Sequence, residues 1–276
     1  MSEDQQPTGR VLLEINDPVA VITLDNPGKL NAINNHMMRE LREAIDEASA
    51  STEVVGIVIT GAGRGFCAGL DLADLAVATA EAESGPGQVS GARQTDPHGL
   101  FTYLLEVDKP VIAAVNGPAA GGGVVLAAAA DVRLFGASGW CRTVFLERGL
   151  IGEHTITWML AQQIGTGNAL DWLWRPDKIT ADEALRAGFA QRVVPDDELL
   201  DTAIAYVKAI ADSLSPAAVR LTKQLVYRHA TMPLRDAASD SDTVGWQAIG
   251  GSDAREAMAA MTENRPPRFG RLGNDG

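Results

Sequence analysis

From Pro110 to Ala130 the chain carries no charged side chain, and Val, Ile, Leu and Ala make up most of the run. An uncharged stretch of that length has two outcomes: a membrane span of about 20 residues, or successive elements buried in a folded core. The residues inside it decide. Asn116-Gly117-Pro118 is a turn signal, and Gly121, Gly122 and Gly123 follow at once. Broken there, the run reads as a buried strand ("PVIAAV"), a loop and a buried helix over 121–130. "DVRLFGAS" then reads as a further strand.

The same alternation extends upstream. "VLLEIND" and "VAVITLD" are short β-branched runs parted near Asp17-Pro18, and "VVGIVITG" is a continuous apolar strand. Between them Leu41, Ala44, Ile45 and Ala48 recur at helical spacing, with Asn34 or Asn35 as the cap. Strand, helix and strand in turn make an α/β chain. The stretch 76–97 is small, polar and without periodicity; it reads as a mobile loop. Thr180 and Glu183 form a capping box, with Gly188 closing that helix. Ser215 caps another, with Pro216 in its first turn. From about Glu198 the chain reads as helical. Its helices carry Ile204, Val207, Ile210, Leu214, Leu221, Leu225 and Val226, more apolar surface than a small subdomain buries.

A formal net charge of −13 on 276 residues excludes a chain that holds nucleic acid or anionic membrane by a basic face. Cys67 and Cys141 form no framework, and the polar start "MSEDQQPTGR" has no apolar core of a signal peptide. A reducing, cytoplasmic setting is expected. The four histidines share no ligand spacing, so no metal is indicated. "GAGRGF" lacks dinucleotide spacing, "GPAAGGG" has no phosphate-loop lysine, and "GASG" is no nucleophile elbow.

What remains is the glycines. Glycines before a helix let a ligand approach the backbone and leave N–H groups free at the helix start. Such donors suit an oxygen that gains charge during a reaction. A second small-residue loop, "GFCAGLDLADL", follows the strand "VVGIVITG". Two such loops after buried strands can face each other.

In order along nearly the whole chain, "NPGKLNAI", "GAGRGFCAGLDL", "KPVIAAVNGPAAGGG", "ADVRLFG" and "TADEALRAGFAQRVVP" resemble the crotonase, or enoyl-CoA hydratase/isomerase, superfamily. The resemblance implies a spiral of ββα units over 1–197, and a helical C-terminal region over 198–276 that makes a homo-trimer or a dimer of trimers. It implies an acyl-CoA thioester as ligand, with CoA belonging to the substrate and no separate cofactor. By motif match the oxyanion hole falls on the N–H groups of Ala68 and Gly122. CoA runs past Lys29, Leu30 and Ala32, past Ala68, Gly69, Leu70, Asp71 and Leu72, and past Gly121.

The chain departs from the family at the chemistry. Hydratases of this family use two glutamates, and the matched positions here hold Val125 and Phe145. Neither moves a proton. "GLIGEH" is instead similar to the "GL(I/V)xEG" context of a lone catalytic glutamate in one isomerase branch, which points to Glu153. One carboxylate suffices for a 1,3-proton shift. Ile151 and Trp158 are its expected apolar neighbours, and His154 is a candidate for tuning it. Glu147 and Arg148 read as a solvated or subunit-facing pair. Trp158, Trp172 and Trp174 read as core or as an acyl tunnel. At the C-terminal CoA contact the matched positions are Met261 and Asn264, with Arg265 or Arg268 as substitutes. The expected activity is 3,2-enoyl-CoA isomerisation; a hydratase with other catalytic groups and a non-catalytic acyl-CoA-binding trimer are the alternatives.

Overall fold

The computed structural model describes residues 9–71 and 100–273. Leu72 and the expected loop over 76–97 lie outside them. Strands β1 (Arg10–Asn16) and β2 (Val19–Asp25) pair antiparallel about Asp17-Pro18. Helix α1 (Asn35–Ala50) begins where the Asn34 side chain accepts the Met37 N–H, and its buried stripe is the periodic one: Met37, Leu41, Ala44, Ile45 and Ala48. Strands β3 (Gly56–Gly61) and β4 (Val111–Val115) follow, both fully buried. The uncharged run continues as β5 (Pro118–Ala120) and α2 (Gly122–Ala129), every residue of which is buried. After β6 (Val132–Gly136) and β7 (Trp140–Arg142) comes α3 (Ile156–Trp174), kinked at Gly165.

Strand β8 (Ile179–Thr180) leads into α4 (Ala181–Ala187), which has the full capping box between Thr180 and Glu183 and ends on Gly188 in the left-handed region. Then come β9 (Arg192–Val194), α5 (Leu199–Ser213), α6 (Pro216–His229), α7 (Leu234–Ile249) and α8 (Ser252–Glu263). Ser215 caps α6 by accepting the Ala218 N–H.

The main sheet runs β1-β2-β3-β4-β6-β9, parallel from β2 onward, and a small sheet runs β5-β7-β8. Alternation along the strands splits the core in two. Ala20, Ile22, Ile57, Ile59, Val111 and Ala113 face α1 and α2. Val19, Val21, Val58, Ile112 and Ala114 face α5 through Leu199, Ala203 and Val207. Each large apolar side chain so buried contributes about 1.5–3 kcal/mol. Helix α5 is therefore a cover layer of the sheet, and Val207, counted among surplus apolar residues from the sequence, is wholly buried. Among the described residues no helix is long and apolar enough to cross a membrane.

Candidate active site

The loop after β3 is held on both sides by backbone pairing. Cys67 bridges Ala119 and Leu70 bridges Ile33. On one side the Cys67 N–H donates to the Pro118 carbonyl, and the Cys67 carbonyl accepts from Ala120. On the other, Ala68 N–H donates to the Leu30 carbonyl at 2.9 Å, Ile33 donates to the Gly69 carbonyl, and Asp71 N–H donates to Ile33. Lys29 closes this contact with an ion pair to Asp71, Nζ to Oδ2 2.5 Å. The residues 29–32 and 68–71 are thus brought together, but Lys29, Leu30, Ala32 and Asp71 do not line the pocket described next.

The oxyanion hole does not use the Ala68 N–H that the motif match assigned to it. The Ala68 N–H is taken by Leu30, so it is no donor to a ligand. A regular strand would turn every second N–H the same way. Gly69, at φ +100, breaks that alternation: Ala68 and Asp71, three residues apart, both donate to the 30–33 segment. The Leu70 N–H is left facing away from Ile33, and it takes no acceptor among the described residues. A Cβ on Gly122 would sit 3.5 Å from the Leu70 nitrogen. The pair of free donors is therefore Leu70 and Gly122.

The three consecutive glycines serve three different needs. Gly121 has φ +51, a turn that L side chains avoid. Its carbonyl accepts the N–H groups of Val124 and Val125, which starts α2. Gly122 is the first residue of α2, and its N–H takes no acceptor among the described residues. Gly123 packs on the loop: a Cβ there would stand 1.9 Å from the Cys67 carbonyl oxygen. The small residues let two backbones touch at 123 and leave a donor open at 122.

A pocket lies in front of these donors. Gly69, Leu70, Gly121 and Gly122 form one wall. Val144, Phe145 and Leu150 form an apolar wall, and Arg148, Glu153 and His154 bring charge and polarity. Glu153 thus shares one pocket with both free N–H groups. Its neighbour His154 places Nε2 3.8 Å from Glu153 Oε2. The backbone around it is strained: His154 (φ 56), Thr155 (φ 62) and, on the facing wall, the β-branched Val144 (φ 50) all sit in the left-handed region. Each such residue costs on the order of 1–3 kcal/mol, and such residues gather at functional sites.

Other side chains fall elsewhere. Val125 is buried inside α2 and Phe145 is on the pocket wall, so the two positions that matched catalytic glutamates are apolar. Ile151 is 77% exposed and Trp158 37% exposed, so neither shields Glu153 as the sequence suggested; Ile156, Met159 and Leu160 are the buried face of α3. Trp172 is core, edge-on to Phe189, and Trp174 is exposed. Burial pushes the Cys67 thiol up to about 12, so it stays protonated beside the pocket. Glu147, expected with Arg148 as a solvated or subunit-facing pair, is instead ion-paired to Arg142 at 2.8 Å. Arg265 is held by Glu256 and Glu263, which removes it as a free cation for CoA within this chain. Among the described residues no cluster of three or more His, Cys, Asp or Glu side chains could hold a metal ion.

A family model described as enoyl-CoA hydratase/isomerase matches residues 14–272. The chain belongs to the enoyl-CoA hydratase/isomerase family. It is 33% identical over 257 residues to a short-chain-enoyl-CoA hydratase of Clostridium acetobutylicum, covering 92% of this chain and 95% of that one. Among solved structures it superposes on enoyl-CoA hydratase EchA1 from Mycobacterium marinum with a TM-score of 0.84 at 29% identity, covering 96% and 99% of the two chains. An enoyl-CoA hydratase from Mycobacterium tuberculosis H37Rv gives 0.84 at 28% identity over 96% and 99%. The crotonase fold expected from the motifs is the observed one, and the chain is an acyl-CoA enzyme of this family.

Proposed function

We propose that this enzyme interconverts 3-enoyl and 2-enoyl CoA thioesters, with Glu153 as the proton carrier. The observation that carries the reading is the placement of Glu153 in one pocket with the free N–H groups of Leu70 and Gly122; it is supported by the apolar side chains of Val125 and Phe145 at the positions that the motif resemblance matches to the family's usual acid–base pair. The thioester oxygen is assigned to the two N–H groups. Glu153 takes a proton from C2, the electron pair spreads over a dienolate whose oxygen the N–H groups stabilise, and Glu153 returns the proton at C4. The double bond moves from C3–C4 to C2–C3, and no other cofactor enters the balance. Each oxyanion donor is worth about 10²–10³ in rate.

A second reading has support from the relatives, which are named hydratases, and from His154 beside Glu153: water addition by this pair. One experiment separates them. Glu153→Gln lowers isomerisation kcat by about 10²–10⁴ with a modest change in KM, and the wild type hydrates 2-enoyl thioesters weakly. Brisk hydration that persists in Glu153→Gln refutes the assignment. A wild type that binds thioesters and turns over neither class is a binding protein. The assembly belongs to the same reading: the exposed apolar residues of α6, α7 and α8 are proposed to join copies of the chain as a trimer or a dimer of trimers.

A further inference from the structure

The proposed reaction uses two backbone N–H groups and one carboxylate, and it leaves one charged group of the pocket without a task. Arg148 ends the short 3-10 turn Leu146–Arg148 and lines the pocket together with Glu153 and His154. Its guanidinium forms no ion pair among the described residues. The adjacent Glu147 does not neutralise it, because Glu147 is taken by Arg142. Glu153 does not either; the group near its carboxylate is His154. A guanidinium stays charged at any working pH, and Arg148 is exposed, so it sets a fixed positive charge at the solvent-facing rim of a pocket whose other lining includes Leu70, Val144, Phe145 and Leu150.

A simple hydrocarbon chain gains nothing from the charged head of such a group, which stays in water. An acyl chain with an acidic end meets it well, since a guanidinium fits a carboxylate with two parallel, charge-assisted hydrogen bonds. We propose that the acyl group this pocket selects carries a carboxylate remote from the thioester, and that Arg148 pairs with it. Arg148 is thereby a specificity-determining residue, and the substrate class is an enoyl-CoA with a second, free acid. This rests on the thioester reading of the pocket given above. The rival source of an anion is CoA itself, whose phosphates every substrate shares.

The test uses the full chain and two 3-enoyl CoA thioesters of equal length, one ending in a carboxylate and one in a methyl group. The wild type is expected to favour the acid-ended thioester at least about 10-fold in kcat/KM. Arg148→Gln is expected to cut kcat/KM for that substrate by about 10–100-fold and to leave the methyl-ended one within about 3-fold; Arg148→Lys retains part of the preference. Calorimetry with the two saturated thioesters gives the same comparison without turnover, so it decides the matter even if neither 3-enoyl substrate reacts, an outcome that counts against the isomerase reading alone. Equal losses on both substrates place Arg148 on CoA and overturn the proposal. So does a wild type that shows no preference in binding or in kcat/KM.

Discussion

A methyl group added at Gly122 and one added at Gly123 enter different surroundings. At Gly123 it meets the Cys67 carbonyl oxygen at 1.9 Å, a backbone atom that cannot turn aside, so Gly123→Ala is expected to cost about 3 kcal/mol and lower Tm by roughly 6–12 °C. At Gly122 the nearest atoms, the Gly69 Cα and Leu70 nitrogen, are 3.5 Å away. Gly122→Ala is expected to melt within about 3 °C of the wild type while its methyl intrudes before the Leu70 N–H and lowers kcat/KM by about 10–100-fold. Thermal unfolding and steady-state rates on the same preparations check both; an inactive Gly122→Ala that is also unfolded removes the distinction. The glycine run announced a close approach in the sequence. Which N–H of "CAGLD" stays free was not legible there. It depends on Gly69 reversing the strand alternation against Leu30 and Ile33, and a one-residue turn of that kind leaves no period to read. Arg148 was equally hidden, because its separation from Glu147 depends on Arg142 in a neighbouring strand.

At the scale of elements, the helices that announce their own ends were the readable ones. Asn34, Thr180 and Ser215 cap α1, α4 and α6 by contacts within three residues, and such contacts are written in the local sequence. The second face of the sheet was not readable, since nothing local tells Val207 on α5 that Val58 and Ile112 await it. The tie between the core and α6 is of the same long-range kind. Asp131, between α2 and β6, accepts the Val111 N–H and Lys223 Nζ on Oδ2, at 2.7 and 2.8 Å. Its Oδ1 accepts the Tyr227 hydroxyl at 2.7 Å. The Lys223 side chain is only 8% exposed, and burial draws its ammonium below the ordinary lysine range. Removing its counter-charge strands a buried cation, so Asp131→Ala is expected to destabilise by about 3–5 kcal/mol. In Asp131→Ala/Lys223→Met the cation is gone, and a double-mutant cycle in urea is expected to recover 1 kcal/mol or more, roughly, of that loss. Strict additivity of the two changes would show that the pair is not coupled.

The whole molecule leaves apolar surface that its own fold does not cover. Leu234 is 87% exposed, Trp246 73%, Ile249 64%, Met258 63% and Met261 76%, and all lie on α7 and α8. Val226 on α6 is 62% exposed. Scattered apolar residues are ordinary on a surface, but large ones gathered on consecutive helices mark a contact site. The chain as a whole is acidic, with a net charge of −13, so copies repel one another in general and need a local apolar patch to associate. Light scattering on the purified protein at micromolar concentration is expected to give the mass of a trimer or of a pair of trimers. Trp246→Glu together with Leu234→Glu is expected to shift that mass toward the monomer. Neither residue lines the pocket that holds Glu153, so a loss of activity that accompanies dissociation would mean that neighbouring copies help to complete the site. A wild type that runs as a monomer would assign these helices to some other partner and remove assembly from the account of this enzyme.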